Sequence, residues 1–401
     1  MDSQNVETML LQAFRDRFPA LKTITHVDAA ARSLLSSAAR DAAVAHISER
    51  IDATAEKERW FDCQERVRRR FADLINAAPE EIAVTKNVSD GINAVANAID
   101  WRAGDSVVIC SAFEHPNNIY PWLHLARKDV TTVDVAIGPD GALPTQAIIT
   151  ALRPTTRAVA VATVSFSPGF RADLTTLGRA CRERGILFLV DAAQSVGVLH
   201  TDVEHDMIDA LAVSTQKGLT ALYGLGFLYV RRYWAERLVP TYLARFGLDL
   251  GEAHEADYSA EAAERFAPAA RRFEVGNPNF PGLVAAEVAL SDILAVGTRV
   301  IEEHVLGLAG LLIEGIRDAG IPVVNANIVG RSHIVSVGGA TGFDADSLHD
   351  WLRERRVHAS VRRGTMRFSL HGYNDQSDIA RIVSLCAEWR RAADAPPRVS
   401  R

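Results

Sequence analysis

Apolar and polar positions over the first 240 residues alternate between two rhythms. One recurs every three to four residues, as amphipathic helices require; the other is a short unbroken apolar run bounded by turn residues. The helical rhythm predicts helices near 5–17 and from the end of an irregular 25–37 stretch to about Ala77. It continues within 85–99, over 116–127 and 144–152, and over 174–184, where Gly185 is the stop. The apolar runs at 106–110, 130–135, 158–165, 186–190, 211–213 and 226–230 predict strands, with a turn at 138–141. Runs that lack polar alternation are buried on both faces. Interleaved with helices, they predict a mostly parallel sheet covered on each side.

After Val230 the rhythm changes. Positions 238–270 are charged and weakly periodic, and read as surface helix and loop. A strongly helical stretch spans 279–316. Strand-like runs at 321–324, 333–338 and 366–370 then mix with helices near 344–355 and 377–393, and 394–401 reads as a frayed end. The expectation is an α/β fold: a large domain over 21–270, and a smaller α+β domain over 271–401 together with 1–20. A chain of 401 residues also exceeds what one core usually organises.

Composition narrows the function classes. With 48% hydrophobic and 23% charged residues, a disordered or fibrous chain is excluded. A net charge of −6 argues against a nucleic-acid surface. Cys63, Cys110, Cys181 and Cys386 lie far apart, without the Cys/His spacing of a metal site, so neither a metal centre nor a disulfide framework is expected. No apolar run reaches the ~18 residues a membrane span needs, and the first residues lack the basic start of a signal peptide. A cytoplasmic protein without a membrane partner is expected. Only five of the 44 basic residues are lysines, which singles out any lysine inside a motif.

In a doubly wound sheet, ligands bind at the carboxyl ends of the strands. Asp191 follows the apolar run 186–190, where a carboxylate is costly without a partner; it is either a helix cap or part of a site. Lys217 follows the run 211–213 and precedes a loop of small residues. It is either a solvated loop lysine or a buried amine of lowered pKa, able to form an imine with an aldehyde. Val88 and Ser89 open the helix after Thr85, as a phosphate cradle or as plain capping. His115 follows the strand ending at Cys110, as a packing residue or a site imidazole.

Together and in this order, these segments resemble the class V aminotransferase family, the fold type I pyridoxal phosphate (PLP) enzymes that include cysteine desulfurases and isopenicillin N epimerases. The resemblance runs through VDAAA at 27–31, TKNVSDGINAVANAI at 85–99, EHPNNIYPW at 114–122 and GILFLVDAAQSVG at 185–197. It continues through STQKGLTALYGLGFLYV at 214–230, RFEVGNPNFPG at 272–282 and VRRGTMRFSLHGYN at 361–374. It implies that Lys217 holds PLP as an internal aldimine and then moves the Cα proton. Asp191 keeps the pyridine nitrogen protonated, Gln194 bonds the phenolic oxygen, and His115 stacks on the ring. Val88 (through its backbone), Ser89, Ser214 and Gln216 are implied at the phosphate, joined by Asn277 from the other subunit of a homodimer with a shared site. Arg367, assisted by Arg362, is implied as the clamp on the carboxylate of an amino-acid substrate, with Ala29 beside it.

Departures from the family pattern refine the expectation. Gln216 stands where relatives usually have His, Gly218 where a bulky residue is common, and Phe166 where many have Asn. No cysteine lies between Cys181 and Cys386, so the persulfide-forming thiol of the desulfurases is missing from the 361–367 segment. Elimination from a quinonoid intermediate, as in a C–S (β-eliminating) lyase, needs no thiol and is ranked first. Class V transamination is second and isopenicillin N epimerase-like epimerisation third; a PLP-binding scaffold without activity is the non-enzyme alternative.

Overall fold

The computed structural model describes residues 3–138, 141–251, 264–326 and 330–394. In chain order its strands are β1 (Thr25–His26), β2 (Ile82–Thr85), β3 (Ser106–Ile109), β4 (Thr131–Asp134), β5 (Thr156–Ala162) and β6 (Leu187–Asp191). They continue with β7 (Ala210–Ser214), β8 (Gly226–Val230), β9 (Ile334–Gly338), β10 (Val357–His358), β11 (Ser360–Arg362) and β12 (Thr365–Ser369). The central sheet has the order β2-β8-β7-β6-β5-β3-β4. Only β8 is antiparallel to its neighbours, so the sheet is mostly parallel, as the apolar runs predict.

Alternate residues of each strand feed two cores. Phe188 and Val190 of β6 join Val159 and Val161 of β5 on one face, beneath Phe71, Leu177 and Ile293. Leu187 and Leu189 join Ala158, Ala160 and Ala212 on the other, beneath Ile92 and Val95. Each buried Leu, Val or Phe contributes roughly 1.5–3 kcal/mol, which fixes the sheet between its layers. The alanines leave room for close approach: a Cβ on Gly91 would lie 3.0 Å from Ala212 Cβ. Helix Val88–Ala98 therefore packs tightly on β7, with its N-terminus beside the strand ends.

The C-terminal part carries the antiparallel sheet β11-β12-β9 and the parallel pair β1-β10. Asp28, just past β1, forms a bridge with Ser369 at the end of β12. The 25–28 segment, expected in the large domain, thus takes its strand partners from 357–369 near the far end of the chain.

Several boundaries differ from the sequence expectation, for local reasons. The 116–127 helix is three short pieces, Pro116–Asn118, Tyr120–Leu123 and His124–Lys128, because Pro116 and Pro121 interrupt the amide ladder. The 279–316 helix breaks at Gly297 (φ +90°) into Phe280–Val296 and Thr298–Asp318, 76° apart. The 321–324 run, which contains Pro322, makes one bridge, Val323 to Val337, and no strand. Pro139 and Asp140 of the expected turn, residues 252–263 of the surface stretch and 395–401 of the tail lie outside the described residues. Among the described residues, no single helix is long and apolar enough to cross a membrane.

Candidate active site

Three strand ends converge on one cavity of about 470 Å³, lined by residues that include Asp28, His115, Gln194, Lys217, Arg362 and Arg367. Asp191 ends β6 and is 5% exposed. One of its oxygens accepts the Ala193 N–H at 2.9 Å. Burial raises its pKa, opposed by that N–H and by the Lys217 charge. No cationic side chain among the described residues makes an ion pair with it. Glu114, wholly buried, accepts from Asn118 (2.8 Å) and from the Ala162 amide (2.7 Å), and burial pushes its pKa up to about 8.

Lys217 lies three residues beyond β7. Burial lowers its pKa; Asp191 opposes this, and Arg367 and Arg362 reinforce it. Gln194, with its amide turned to satisfy both neighbours, donates to the Ala30 carbonyl (3.3 Å) and accepts from Lys217 Nζ (3.2 Å). Gly218 stands where a bulky residue is common in the family, and the reason is local: any Cβ there would collide with the Val196 carbonyl.

The helix opening beside this lysine is capped by Asn87, whose side chain accepts the Asp90 N–H at 3.0 Å, so capping does not require Ser89. Ser89 occupies the first turn, and the Val88 N–H donates to Ser214 Oγ at 2.8 Å. The Gln216 carbonyl accepts the Ser33 N–H at 2.9 Å. Asn277 is exposed and is not on the cavity wall of its own chain.

The opposite wall comes from the C-terminal part. Arg363 (φ +49°) and Gly364 (φ +73°) form the two-residue turn between β11 and β12, the geometry that suits a twisted hairpin. Arg362 ends β11 and Arg367 sits mid-way along β12. Arg367 is 1% exposed; it donates to the Phe166 carbonyl (2.8 Å) and lies 3.5 Å from Asp28, leaving its Nε without a partner. Burial pulls its pKa down to about 10, against the pull of Asp28. Asp28 also accepts from Ser360 Oγ at 2.8 Å.

Phe166 completes the rim. Its ring meets His115 edge-on (centroids 5.2 Å, 77°), and the Arg363 guanidinium lies 4.7 Å over it. Burial lowers the His115 pKa, helped by Lys217 and the three arginines 362, 363 and 367.

Ala29, expected beside the substrate, is not on the cavity wall. It is 2% exposed, its N–H is taken by the Ser369 carbonyl at 3.2 Å, and Asp28, Ala30, Ala31 and Arg32 line the cavity in its place. Asp28 and Arg32 belong to the 25–37 loop, which was expected to line the pocket, but neither they nor Tyr223 were singled out. An acid ahead of the alanine triplet could have flagged Asp28; Arg32 and Tyr223 carry no comparable signal.

None of the four cysteines lines the cavity. All are buried, and burial pushes their thiols up to about 12 (Cys63), 11 (Cys110), 12 (Cys181) and 12 (Cys386).

The unpaired buried carboxyl at Asp191, the amine of lowered pKa at Lys217 and the free Arg367 Nε fit PLP and an amino acid. Asp191 would face the ring nitrogen, Lys217 the aldehyde carbon and His115 the ring face. Ser89, Ser214, Gln216 and the Val88 amide would surround the phosphate.

Comparisons with known proteins agree. The family model for "Aminotransferase class-V" matches residues 43–382. An uncharacterized aminotransferase, YcbU, of Bacillus subtilis is 28% identical over 93% of this chain and 96% of its own length. A probable cysteine desulfurase of Methanothermobacter thermautotrophicus is 32% identical over 78% of this chain and 80% of its own. In fold, the chain resembles the cystine C–S lyase C-DES, solved with its product cysteine persulfide: TM-score 0.83, 21% identity, 92% of this chain and 99% of that one. The chain belongs to the class V aminotransferase family, and it is a PLP-dependent enzyme.

Proposed function

We propose that this enzyme acts at Cα of an amino-acid substrate and eliminates a sulfur substituent from Cβ, as a C–S lyase without an enzyme thiol. The observation that carries this reading is the make-up of the cavity wall: an amine, an imidazole and guanidinium groups, with every thiol buried elsewhere. Bound PLP supplies a sink for the electron pair left at Cα.

The chain's own residues do the rest. Arg367 holds the α-carboxylate with its free N–H groups, and Arg362 reinforces the positive wall. Lys217 Nζ, below the ordinary amine range, takes the Cα proton. Asp191 holds the proton on the ring nitrogen, and His115 covers the ring face. The Cβ–S bond breaks with its electron pair leaving on sulfur, which takes up a proton. The three-carbon remainder hydrolyses to a keto acid and ammonia. The enzyme works as a cytoplasmic homodimer in which Asn277 of each copy reaches the other's phosphate corner; its exposure, away from its own cavity, supports this.

Product analysis tests the reaction type. Holoenzyme given cystine, without a keto-acid acceptor, is expected to release keto acid and ammonia in equal amounts. Alanine as product would mean desulfuration instead, and D-amino acid would mean epimerisation. Keto acid formed only with an added acceptor, without ammonia, would mean transamination. That second reading is favoured by the relative named an aminotransferase over 93% of this chain.

A further inference from the structure

The cavity holds more positive charge than one amino acid with a neutral side chain can use. Three guanidinium groups line it, from Arg32, Arg362 and Arg367, against one carboxylate, Asp28. Asp28 is committed to Ser360 and Arg367. Arg363 is committed to the rim, where it donates to the Ala112 carbonyl at 3.0 Å and stacks on Phe166. The residues implied at the cofactor phosphate (Ser89, Ser214, Gln216) are neutral and lie off this wall, so the arginines are not accounted for by that anion.

Arg367 alone suffices for an α-carboxylate, since it is buried with Nε free. That leaves two. Arg362 Nη1 donates only to the carbonyl of its neighbour Val361, at 2.8 Å. Among the described residues neither Arg362 nor Arg32 pairs with a carboxylate. They come from separate elements: Arg362 from the end of β11, held inward by the Arg363–Gly364 turn, and Arg32 from the loop after β1. Guanidinium groups favour carboxylates and similar planar acids because the fork offers two parallel N–H donors.

We propose that Arg362 and Arg32 form a second anion subsite, so that the preferred substrate is an amino acid whose side chain carries an acid group beyond Cβ. The proposal rests on the PLP reading above and deepens it. It assigns Arg362 to the side-chain acid rather than to the α-carboxylate.

An isosteric pair of ligands tests this. S-carboxymethylcysteine and S-carbamoylmethylcysteine share the α-carboxylate, and thus Arg367, and differ in the charge of the side-chain end. Each is titrated into holoenzyme and its dissociation constant read from the cofactor's visible spectrum, independently of turnover. The acid is expected to bind roughly ten- to a hundredfold more tightly than the amide, the range of a charge-assisted contact. In Arg362→Gln and in Arg32→Gln that ratio should collapse towards one. An acid-to-amide ratio near one in the unaltered enzyme overturns the proposal. A ratio kept in either variant overturns the role of that arginine, and Arg32, exposed on its loop, can be replaced without disturbing the fold. Failure of the underlying reading looks different: neither ligand would change the cofactor's visible spectrum.

Discussion

His371 Nε2 lies 2.9 Å from the carbonyl oxygen of Gly218, the residue that follows Lys217. His371 is wholly buried, and burial lowers its pKa from 6.5 to about 4, so at neutral pH its ring is uncharged and the Nε2 N–H donates to that carbonyl. The ring stacks on Tyr373 (4.7 Å, 7°), whose hydroxyl lies 3.0 Å from His26 Nδ1. Through these contacts the C-terminal part grips the loop that carries the lysine.

His371→Phe keeps a flat ring and removes the bond, leaving the Gly218 carbonyl buried without its donor. The expected cost at pH 7.5 is about 1–3 kcal/mol in denaturant unfolding. The deficit should shrink in acid, by the following linkage. Above pH 6.5 the histidine is neutral whether folded or unfolded and contributes no pH dependence. Between 6.5 and about 4 only the unfolded chain binds the proton, which destabilises the native protein as pH falls. At pH 5.5, one unit below 6.5, the penalty is about 1.4 kcal/mol, and the Phe variant escapes it. Equal deficits at the two pH values would mean that the imidazole is not held neutral.

Lys217 should carry the cofactor covalently. Borohydride reduction of the holoenzyme is expected to fix PLP to the single peptide containing it. Lys217→Ala should lower turnover by roughly 10²–10⁴-fold, the range of a lost acid–base group, while cofactor contacts from Asp191 and Ser89 persist. A label on Lys86 or Lys128 would place the chemistry elsewhere.

Asp191→Asn preserves size and can still accept the Ala193 N–H through its amide oxygen, but it removes the charge proposed to face the ring nitrogen. The barrier to Cα deprotonation should rise by about 3 kcal/mol or more, which is at least about a hundredfold in rate. Exchange of the substrate Cα proton with solvent deuterium measures that step directly. Unchanged exchange would reduce Asp191 to a local turn residue.

Most of the sheet was legible because its inner strands are apolar runs, although β2 (Ile82–Thr85) was not among the predicted strands; the candidate chemistry was legible because Asp191 directly follows such a run and Lys217 lies a few residues beyond another. What was not legible depends on distant partners. β1 and β10 are two residues each, too short to leave a periodicity, and pair across more than 300 positions. Asp28 joins the site because Ser360 and Arg367 come to it from the far end of the chain. Ala29 was expected beside the substrate; its N–H goes to the Ser369 carbonyl, while Asp28, Ala30, Ala31 and Arg32 line the cavity. Gly218 likewise follows from the Val196 carbonyl, a contact that no local pattern announces.

The cysteines decide whether the mechanism is free of an enzyme thiol. A desulfurase passes sulfur to its own cysteine and loses activity with it. Here Cys63 donates to Glu287 at 3.2 Å, and its thiol is held up near 12, mainly by burial and also by that carboxylate. Cys110, Cys181 and Cys386 are at most 1% exposed. A thiol attacks as the thiolate, so groups raised this far are poor nucleophiles at neutral pH. Buried Cys packs as a small hydrophobe, and replacing each by Ala should lower stability by about 1–2 kcal/mol. Turnover per folded molecule, normalised to the cofactor absorbance, should nevertheless stay within about twofold in all four single variants, because Lys217 can take the Cα proton without a thiol. A single variant that keeps its fold and its cofactor spectrum yet loses turnover would identify a relocated sulfur acceptor, and desulfuration would then replace elimination as the reaction.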